Sequence, residues 1–530
     1  MNSGGAPPHP TPGEVVAWRP RHNPWLIAFS VMLATFMEVL DTSVANVALP
    51  HIAGSLSATP EEATWVLTSY LVSNAIILPT AAWLGATFGR KRLLLTCILL
   101  FTLASAGCGA APSLALLVLA RVFQGLAGGA LQPIAQAVLM ESFPPARRGV
   151  AMATYGMGVV VAPILGPTLG GWVTENYSWR WVFYINLPVC ALAILMVQAF
   201  IEDPPYIRRG GWSRIDYVGF VLMAVGLATL QVMLDRGQED DWFAAAWVRW
   251  FAVISVVSLI AFVIRELQTE HPIVDLRILR NRNFAVGTLL IALLATILYS
   301  TIAMLPLFLQ ILMGYSAVLS GLALTPRGLG ALLSNIIVGR LIAFIDGRIM
   351  MTLGFVLLGV SGFMFSHMNL QIAMSNVVWV NFLNGVATAL IFVALATTTM
   401  GTLRNEQMGN AAGIFNLMRN IGGSIGIAGM ATFLDRWTQV HQAVLVSHLT
   451  PYDPAYQQWL SAAQAGLKTR VGEAAAGPKA LGLLYNVLAR QARLLAFVDI
   501  FRVVAFLSLF SVPLVLLFKR AKAHTAPGAH

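Results

Sequence analysis

Long apolar runs recur along the whole chain, separated by short polar or basic stretches. A helix needs about 20 mostly apolar residues to cross hydrocarbon. Stretches of that kind lie near 27–48, 63–84, 93–112, 114–139, 149–172 and 181–201, then near 216–234 and 246–264. Six more lie near 284–307, 317–341, 350–367, 373–400, 410–433 and 498–518. Fourteen spans predict an all-α polytopic membrane protein with two six-helix halves and two inserted helices, since many transporters repeat a half around a midplane site. The expected divisions are a cytoplasmic lead over 1–24, an N-terminal half over 25–201, the inserted helices over 202–270, a C-terminal half over 271–518 and a cytoplasmic tail over 519–530. The lead lacks the layout of a cleaved signal, so the first span is read as its own insertion signal. Residues 434–497 form an unusually long connection. Helix-like runs such as Ala480–Leu495 predict a helical projection there on the outer side.

Composition agrees with the pattern. The chain is 57% hydrophobic and 11% charged, where a soluble domain carries about 25% charged residues. The net charge of +10 falls where topology needs it. With the N-terminus inside, the inner loops hold Arg90, Lys91, Arg92, Arg147, Arg148, Arg208, Arg209, Arg214, Arg277, Arg280 and Arg282. Short outer loops hold only Arg180, Arg236 and Arg249. This is the positive-inside distribution, so the basic excess orients the chain in a lipid bilayer and does not point to nucleic acid. Cys97, Cys108 and Cys190 lie in apolar runs, and no CxxC metal spacing or disulfide framework is present. No histidine is central to a span and no catalytic triad or metal-ligand set shares a depth, so neither an enzyme nor a metal site is expected.

The first span breaks its own pattern. VMLATFMEVLDTSVANVALP, Val31–Pro50, carries Glu38 and Asp41 amid apolar and small residues. Residues three apart share a helix face, and acids buried in a membrane are costly and usually functional. Arg121, Arg327 and Arg419 also fall inside spans. Burial and a neighbouring arginine pull a carboxylate's proton affinity in opposite directions, which is how a proton site is tuned. Asp41 is expected to exchange the proton, with Glu38 assisting and Arg121 tuning both. A static ion pair that fixes helix packing uses the same residues, and the sequence leaves both readings open. Candidates for contact with apolar ligands are Phe36, Met37, Asn46, Trp65, Tyr70, Phe123, Gln124, Gln132, Tyr155, Met157, Tyr299, Asn384, Asn416 and Arg419. Soft and aromatic surfaces suit varied hydrophobic compounds.

Several segments carry a family resemblance. Leu40–Pro50 (LDTSVANVALP), Ala120–Pro133 (ARVFQGLAGGALQP), Gly158–Trp172 (GVVVAPILGPTLGGW) and Ser178–Pro188 (SWRWVFYINLP) resemble the motifs of the fourteen-helix drug:proton antiporters in the major facilitator superfamily. Leu234–Phe243 and His271–Phe284 are similar to the EmrB/QacA subfamily in particular. The resemblance implies proton-driven export of hydrophobic drugs by alternating access, with the proton gradient and no cofactor as the driving force. It also implies residence in a bacterial inner membrane with both termini cytoplasmic. A periplasmic membrane-fusion adaptor and an outer-membrane channel would be the partners. Export of one endogenous metabolite or fatty acid by the same machinery is the alternative; a non-transporting sensor or scaffold is a further one. Pro163, Gly166, Pro167, Gly170 and Gly171 match the antiporter motif of the fifth span, expected to make a tight seam between the halves that seals against proton leak. Gly89 and Arg90 match the gating motif between spans two and three, but Ala82 and Ala86 stand where the family pattern has Gly and Asp. The charge latch that this Asp supplies is therefore in doubt.

Overall fold

The computed structural model describes residues 20–144, 147–204, 216–270, 272–342 and 344–519. The expected cytoplasmic lead up to residue 19, the basic residues Arg208, Arg209 and Arg214, and the tail after 519 lie outside the described residues. The described residues are helical, with no strand among them.

The N-terminal half begins with α1 (Pro24–Ser55), whose first turn is capped by Asn23 accepting from the Trp25 N–H at 2.9 Å. α2 (Pro60–Ala63), α3 (Trp65–Ile77) and α4 (Ala81–Phe88) make up the second span, and α5 (Arg90–Ala110) the third. The fourth span is broken into α6 (Leu114–Gly128) and α7 (Leu131–Ser142), next to Pro133. Then come α8 (Arg148–Asn176), the single turn α9 (Trp181–Tyr184) and α10 (Asn186–Phe200). α11 (Tyr217–Arg236) and α12 (Ala246–Gln268) are the inserted pair. The C-terminal half is α13 (Arg282–Leu307), α14 (Ala317–Leu341), α15 (Gly347–Ser366), α16 (Met374–Met400), α17 (Met408–Ser447), α18 (Pro454–Val471) and α19 (Glu473–Val515).

Thirteen stretches are long and apolar enough to cross a membrane. The sequence leads one to expect fourteen; α17 is the one that falls short on hydropathy, because Asn410, Asn416, Arg419, Asn420 and six glycines interrupt its apolar residues. It packs along α13 and α19 and against α7 and α4 of the other half. A helix face enclosed by protein has no need of an apolar surface. The contrast with α12 is direct. That helix packs chiefly on α11 and has 22% of its apolar window buried, against 67% for α16.

Contacts within each half are dense: α1 on α8 and α10, α3 and α5 on α6, α14 on α16, and α13 on α17. The halves meet mainly through α8 on α14 and α17 on α7 and α4. The α8–α14 contact is tight at the end that carries the basic loops, where Gly149 faces Ile342 and Gly339 faces Val150 and Ala153. Arg148 adds a hydrogen bond to Asn405 at 3.0 Å. α11 bridges α3 and α17 on the flank.

The long connection 434–497 is helical. α17 runs past the bundle to Ser447, and α18 lies against α19. The expected Ala480–Leu495 helix belongs to α19 and is continuous with the last span, because Pro478 lies near the helix start and no proline follows it before Pro513.

Candidate functional site

α1 presents Glu38 and Asp41 to the interior of the N-terminal half, where they are 4% and 1% exposed. α6 supplies Arg121, fully buried, because Gly125 one turn later lets the helix lie directly on α3. A Cβ at Gly125 would overlap Ser73 Oγ and the Tyr70 carbonyl. That close approach puts Arg121 Nε within 2.9 Å of the Val66 carbonyl and Arg121 Nη1 at 2.5 Å from Asp41 Oδ2. Gln124 Nε2 and Asn186 Nδ2 donate to Asp41 Oδ1 at 2.9 and 2.6 Å, and Arg121 Nη1 also donates to Gln124 Oε1 at 2.8 Å. Asn186 is itself oriented by Ser105 Oγ at 2.9 Å. The guanidinium stacks over the Tyr70 ring at 4.3 Å, a cation–π contact strengthened by exclusion of water. Asp41 thus lies in a closed shell of donors, as a buried charge must.

Glu38 is held differently. It accepts from Asn74 Nδ2 at 3.1 Å, from the Tyr70 hydroxyl at 3.5 Å and from Gln132 Nε2. All three donors are neutral. The other end of the Gln132 amide, Oε1, accepts from Arg419 Nη2 of α17. A hydrogen-bonded path therefore runs from a carboxylate in one half, through one amide, to a guanidinium in the other. Asn416 of α17 donates to Gln136 of α7 at 2.7 Å beside it. Tyr155 stacks on Phe392 across the same seam, with ring centres 6.4 Å apart.

The candidate ligand residues separate into groups. Tyr70, Gln124, Gln132, Tyr155, Asn416 and Arg419 are drawn into the polar cluster or the seam beside it. The Tyr299 ring packs on Gly423, one turn from Arg419. Met37 is buried, and Phe36 and Met157 are partly so. Asn384 is buried elsewhere, between α16 and α15, donating to Ser361 Oγ at 3.1 Å. Three more do not join because they are exposed: Phe123 is 58% exposed, on the side of α6 away from Arg121 and Gln124, Trp65 is 38% exposed beneath Arg236, and Asn46 is exposed. Helix phase explains Phe123, since a residue two positions from Arg121 points to the opposite side.

The seam expected from the fifth-span glycines is elsewhere. Gly166 faces Ser43 and Gly170 faces Val44, both on α1 of the same half, and Gly171 touches only Val47. Ser43 Oγ donates to the Pro163 carbonyl at 3.1 Å, and the side chain of Pro167 lies outside the described ones. α8 meets the other half through Gly149 and Gly156 instead. At the basic end Gly89 has φ +87°, a conformation open to glycine. The Lys91 N–H donates to Asp203 Oδ1 at 2.8 Å, and Arg90 pairs with Glu141. The carboxylates at this turn therefore come from α7 and from the exit of α10, in place of the missing acid at Ala86. Asn74, Ser105 and Asn186 are the residues that the sequence reading missed. Asn186 lies within the quoted Ser178–Pro188 motif and Asn74 one turn after Tyr70, whereas nothing local marks Ser105.

Residues 31–427 match the Major Facilitator Superfamily. The chain is 38% identical to the multidrug export protein EmrB of Haemophilus influenzae over 441 residues, 82% of this chain and 85% of that protein. It is 34% identical to the fatty acid resistance protein FarB of Neisseria gonorrhoeae over 524 residues, 98% of this chain and 99% of that one. The crystal structure of the human organic anion transporter MFSD10 (TETRAN) superposes with a TM-score of 0.59 at 15% identity, covering 92% of this chain and all of that one, a likeness of fold.

Proposed function

This chain belongs to the Major Facilitator Superfamily, in its EmrB-like branch, and from that membership we propose that it is a multidrug efflux transporter that exchanges hydrophobic or amphipathic compounds for protons. The observation that carries the proton-coupled reading is the pair of buried carboxylates on α1, one closed on Arg121 and one wired through Gln132 to Arg419. A proton arriving on Asp41 would strand the Arg121 charge in a dry site, which is costly. Glu38 faces only neutral donors, so it carries the exchanged proton, while Asp41 and Arg121 supply the fixed field and hold α1 to α6. Neutralising Glu38 weakens its acceptance from Gln132, which releases Arg419 and loosens the seam between halves. Alternating access is the consequence.

Uptake of ethidium into proteoliposomes under an imposed pH gradient tests this. Accumulation should require the gradient and stop when an ionophore collapses it. Gradient-independent uptake would overturn proton coupling. Competition by structurally unrelated drugs supports the multidrug reading; competition by fatty acids alone would favour the narrower, single-substrate one that the likeness to FarB raises.

The protein would reside in the inner membrane of a two-membrane cell, both termini cytoplasmic, and hand its cargo to a periplasmic adaptor and an outer-membrane channel. The support is the helical projection opposite the basic loops, where Tyr452, Trp459 and Tyr485 are exposed. Replacing residues 448–472 by a Gly/Ser linker should abolish co-purification of the adaptor and leave liposome transport intact. Co-purification at wild-type yield would refute docking there, and loss of liposome transport would make the projection a lid.

A further inference from the structure

The C-terminal half contains a buried cation that the proton site does not use. Arg327 of α14 is 6% exposed, and neither Nη1 nor Nη2 has a hydrogen-bond partner. No acidic side chain is near in sequence to compensate it. Between Asp275 and Asp435 the chain has only Asp346 and Glu406, and both lie at helix ends. A guanidinium stays charged under all ordinary conditions, and an unpaired charge inside a membrane bundle is among the costliest features a fold can hold.

The surroundings are polar and also incompletely bonded. Ser320, 1% exposed, has an unpartnered hydroxyl. It precedes Arg327 by seven residues, two helical turns, so the two share a face of α14. Long side chains on a helix lean toward its N-terminus, which directs Arg327 toward Ser320. On the facing helix, Gly385 lies so close to the Arg327 carbonyl that a Cβ there would overlap it. Beside it, Asn381 donates to the carbonyls of Ala323 and Val377, and Asn384 donates to Ser361 Oγ. Each is left with a buried Oδ1 and no partner. Buried polar groups are nearly always paired, so an uncompensated arginine on the same helix face as an open hydroxyl, with two open amide acceptors on the facing helix, has the character of a binding site. α14 is also the helix that meets α8 between the halves, and Arg327 lies roughly 12 Å along it from Asn335 at that seam.

We infer that Arg327 and Ser320 form an anion-binding site that takes the carboxylate headgroup of a hydrophobic substrate, separate from the Glu38–Asp41 cluster. Two N–H groups of one guanidinium match the two oxygens of a carboxylate, and the serine hydroxyl is a further donor. The unpaired Asn381 and Asn384 oxygens lie at the periphery, where they would accept from water accompanying the headgroup. This inference rests on the export of hydrophobic compounds proposed above, and it adds a charge preference to that reading.

Binding of radiolabelled oleate and of methyl oleate to the purified full-length protein in detergent tests it, because the two ligands differ only in the anionic headgroup. The wild type should bind oleate at least tenfold more tightly than the ester. Arg327→Gln should remove that preference and leave ester binding unchanged, Ser320→Ala should reduce it in part, and Arg327→Lys should retain part of it. Equal binding of the two ligands by the wild type would overturn the inference without any variant. So would an unchanged preference in Arg327→Gln, or loss of the preference in Arg419→Gln but not in Arg327→Gln. Should Arg327→Gln fail to fold, Ser320→Ala and the wild-type ratio still decide. Gradient-driven ethidium uptake by the wild type is read separately, so failure of the export reading is distinguishable from failure of the anion site.

Discussion

In the N-terminal half Arg121 meets Asp41 at 2.5 Å and Glu38 lies one turn away; in the C-terminal half Arg327 and Arg419 are buried in spans that hold no Asp or Glu. The first half balances its buried charge internally and the second cannot. What the second half lacks must come from outside it. Arg419 obtains an acceptor from the first half, through Gln132 to Glu38. Arg327 has no such path, and an incoming anion would complete it. The asymmetry divides labour: the balanced half cycles protons, and the unbalanced half responds to what it meets.

Breaking the balanced pair should have the largest effect. Asp41→Asn strands Arg121, and removing one member of a buried pair costs about 3–5 kcal/mol. Gradient-driven ethidium uptake should fall to background. The double variant Asp41→Asn with Arg121→Gln should recover thermal stability without recovering transport. Wild-type uptake by Asp41→Asn would refute the assignment.

Cutting the path between the halves should matter less. Glu38→Gln keeps an acceptor for Gln132 and loses the titrating group. Uphill uptake should be lost while downhill drug equilibration persists. Gln132→Ala removes the bridge itself, and loss of one such bond, about 1.4 kcal/mol, corresponds to roughly a tenfold fall in transport. Uphill transport by Glu38→Gln at the wild-type rate would return the proton to Asp41.

The comparison can also be sharpened by giving the second half the carboxylate it lacks. Asn384→Asp is nearly isosteric and leaves Ser361 able to donate to it. It should pair with Arg327, raise or preserve the melting temperature, and abolish preferential oleate binding. Undiminished oleate preference in a folded Asn384→Asp protein would place the carboxylate site away from α14.

The smallest effect is expected outside both halves. Asp216 caps α11: burial raises its proton affinity, but the Gly219 N–H and Arg265 outweigh that and hold it below the usual carboxylate range. Its contribution is therefore present above that range and lost as pH falls through the lowered folded value. Asp216→Ala should cost about 1 kcal/mol, as for other N-caps. The melting-temperature deficit should be full at pH 7 and shrink below about pH 4.

The membrane class was legible because a 20-residue apolar run has few alternatives in water or lipid. The two acids of α1 stood out for the same reason, as did the three buried arginines. α17 shows where the pattern weakens: its polar residues Asn416 and Arg419 are tolerated because they face protein, while Ile425 and Ile427 face outward. Phe123, Trp65 and Asn46 show another limit. Residue type nominates a ligand contact, but helix phase and neighbours decide whether it faces the cluster.

The sequence by itself determined which charges are buried deep within spans, since hydropathy and span length leave Glu38, Asp41, Arg121, Arg327 and Arg419 nowhere else to go; the burial of Arg90, Glu141, Asp216 and Glu266 at helix ends came from packing. Only the tertiary structure decided how they are paired. Arg121 reaches Asp41 because Gly125 allows α6 to touch α3, and Glu38 reaches Arg419 because α7 and α17 bring Gln132 between them. Arg327 is left alone because the facing helices carry no buried acid; Glu175 of α8 is exposed at the helix end. Burial follows from the composition of one segment, but pairing depends on contacts between segments far apart in the chain, and no local pattern encodes them.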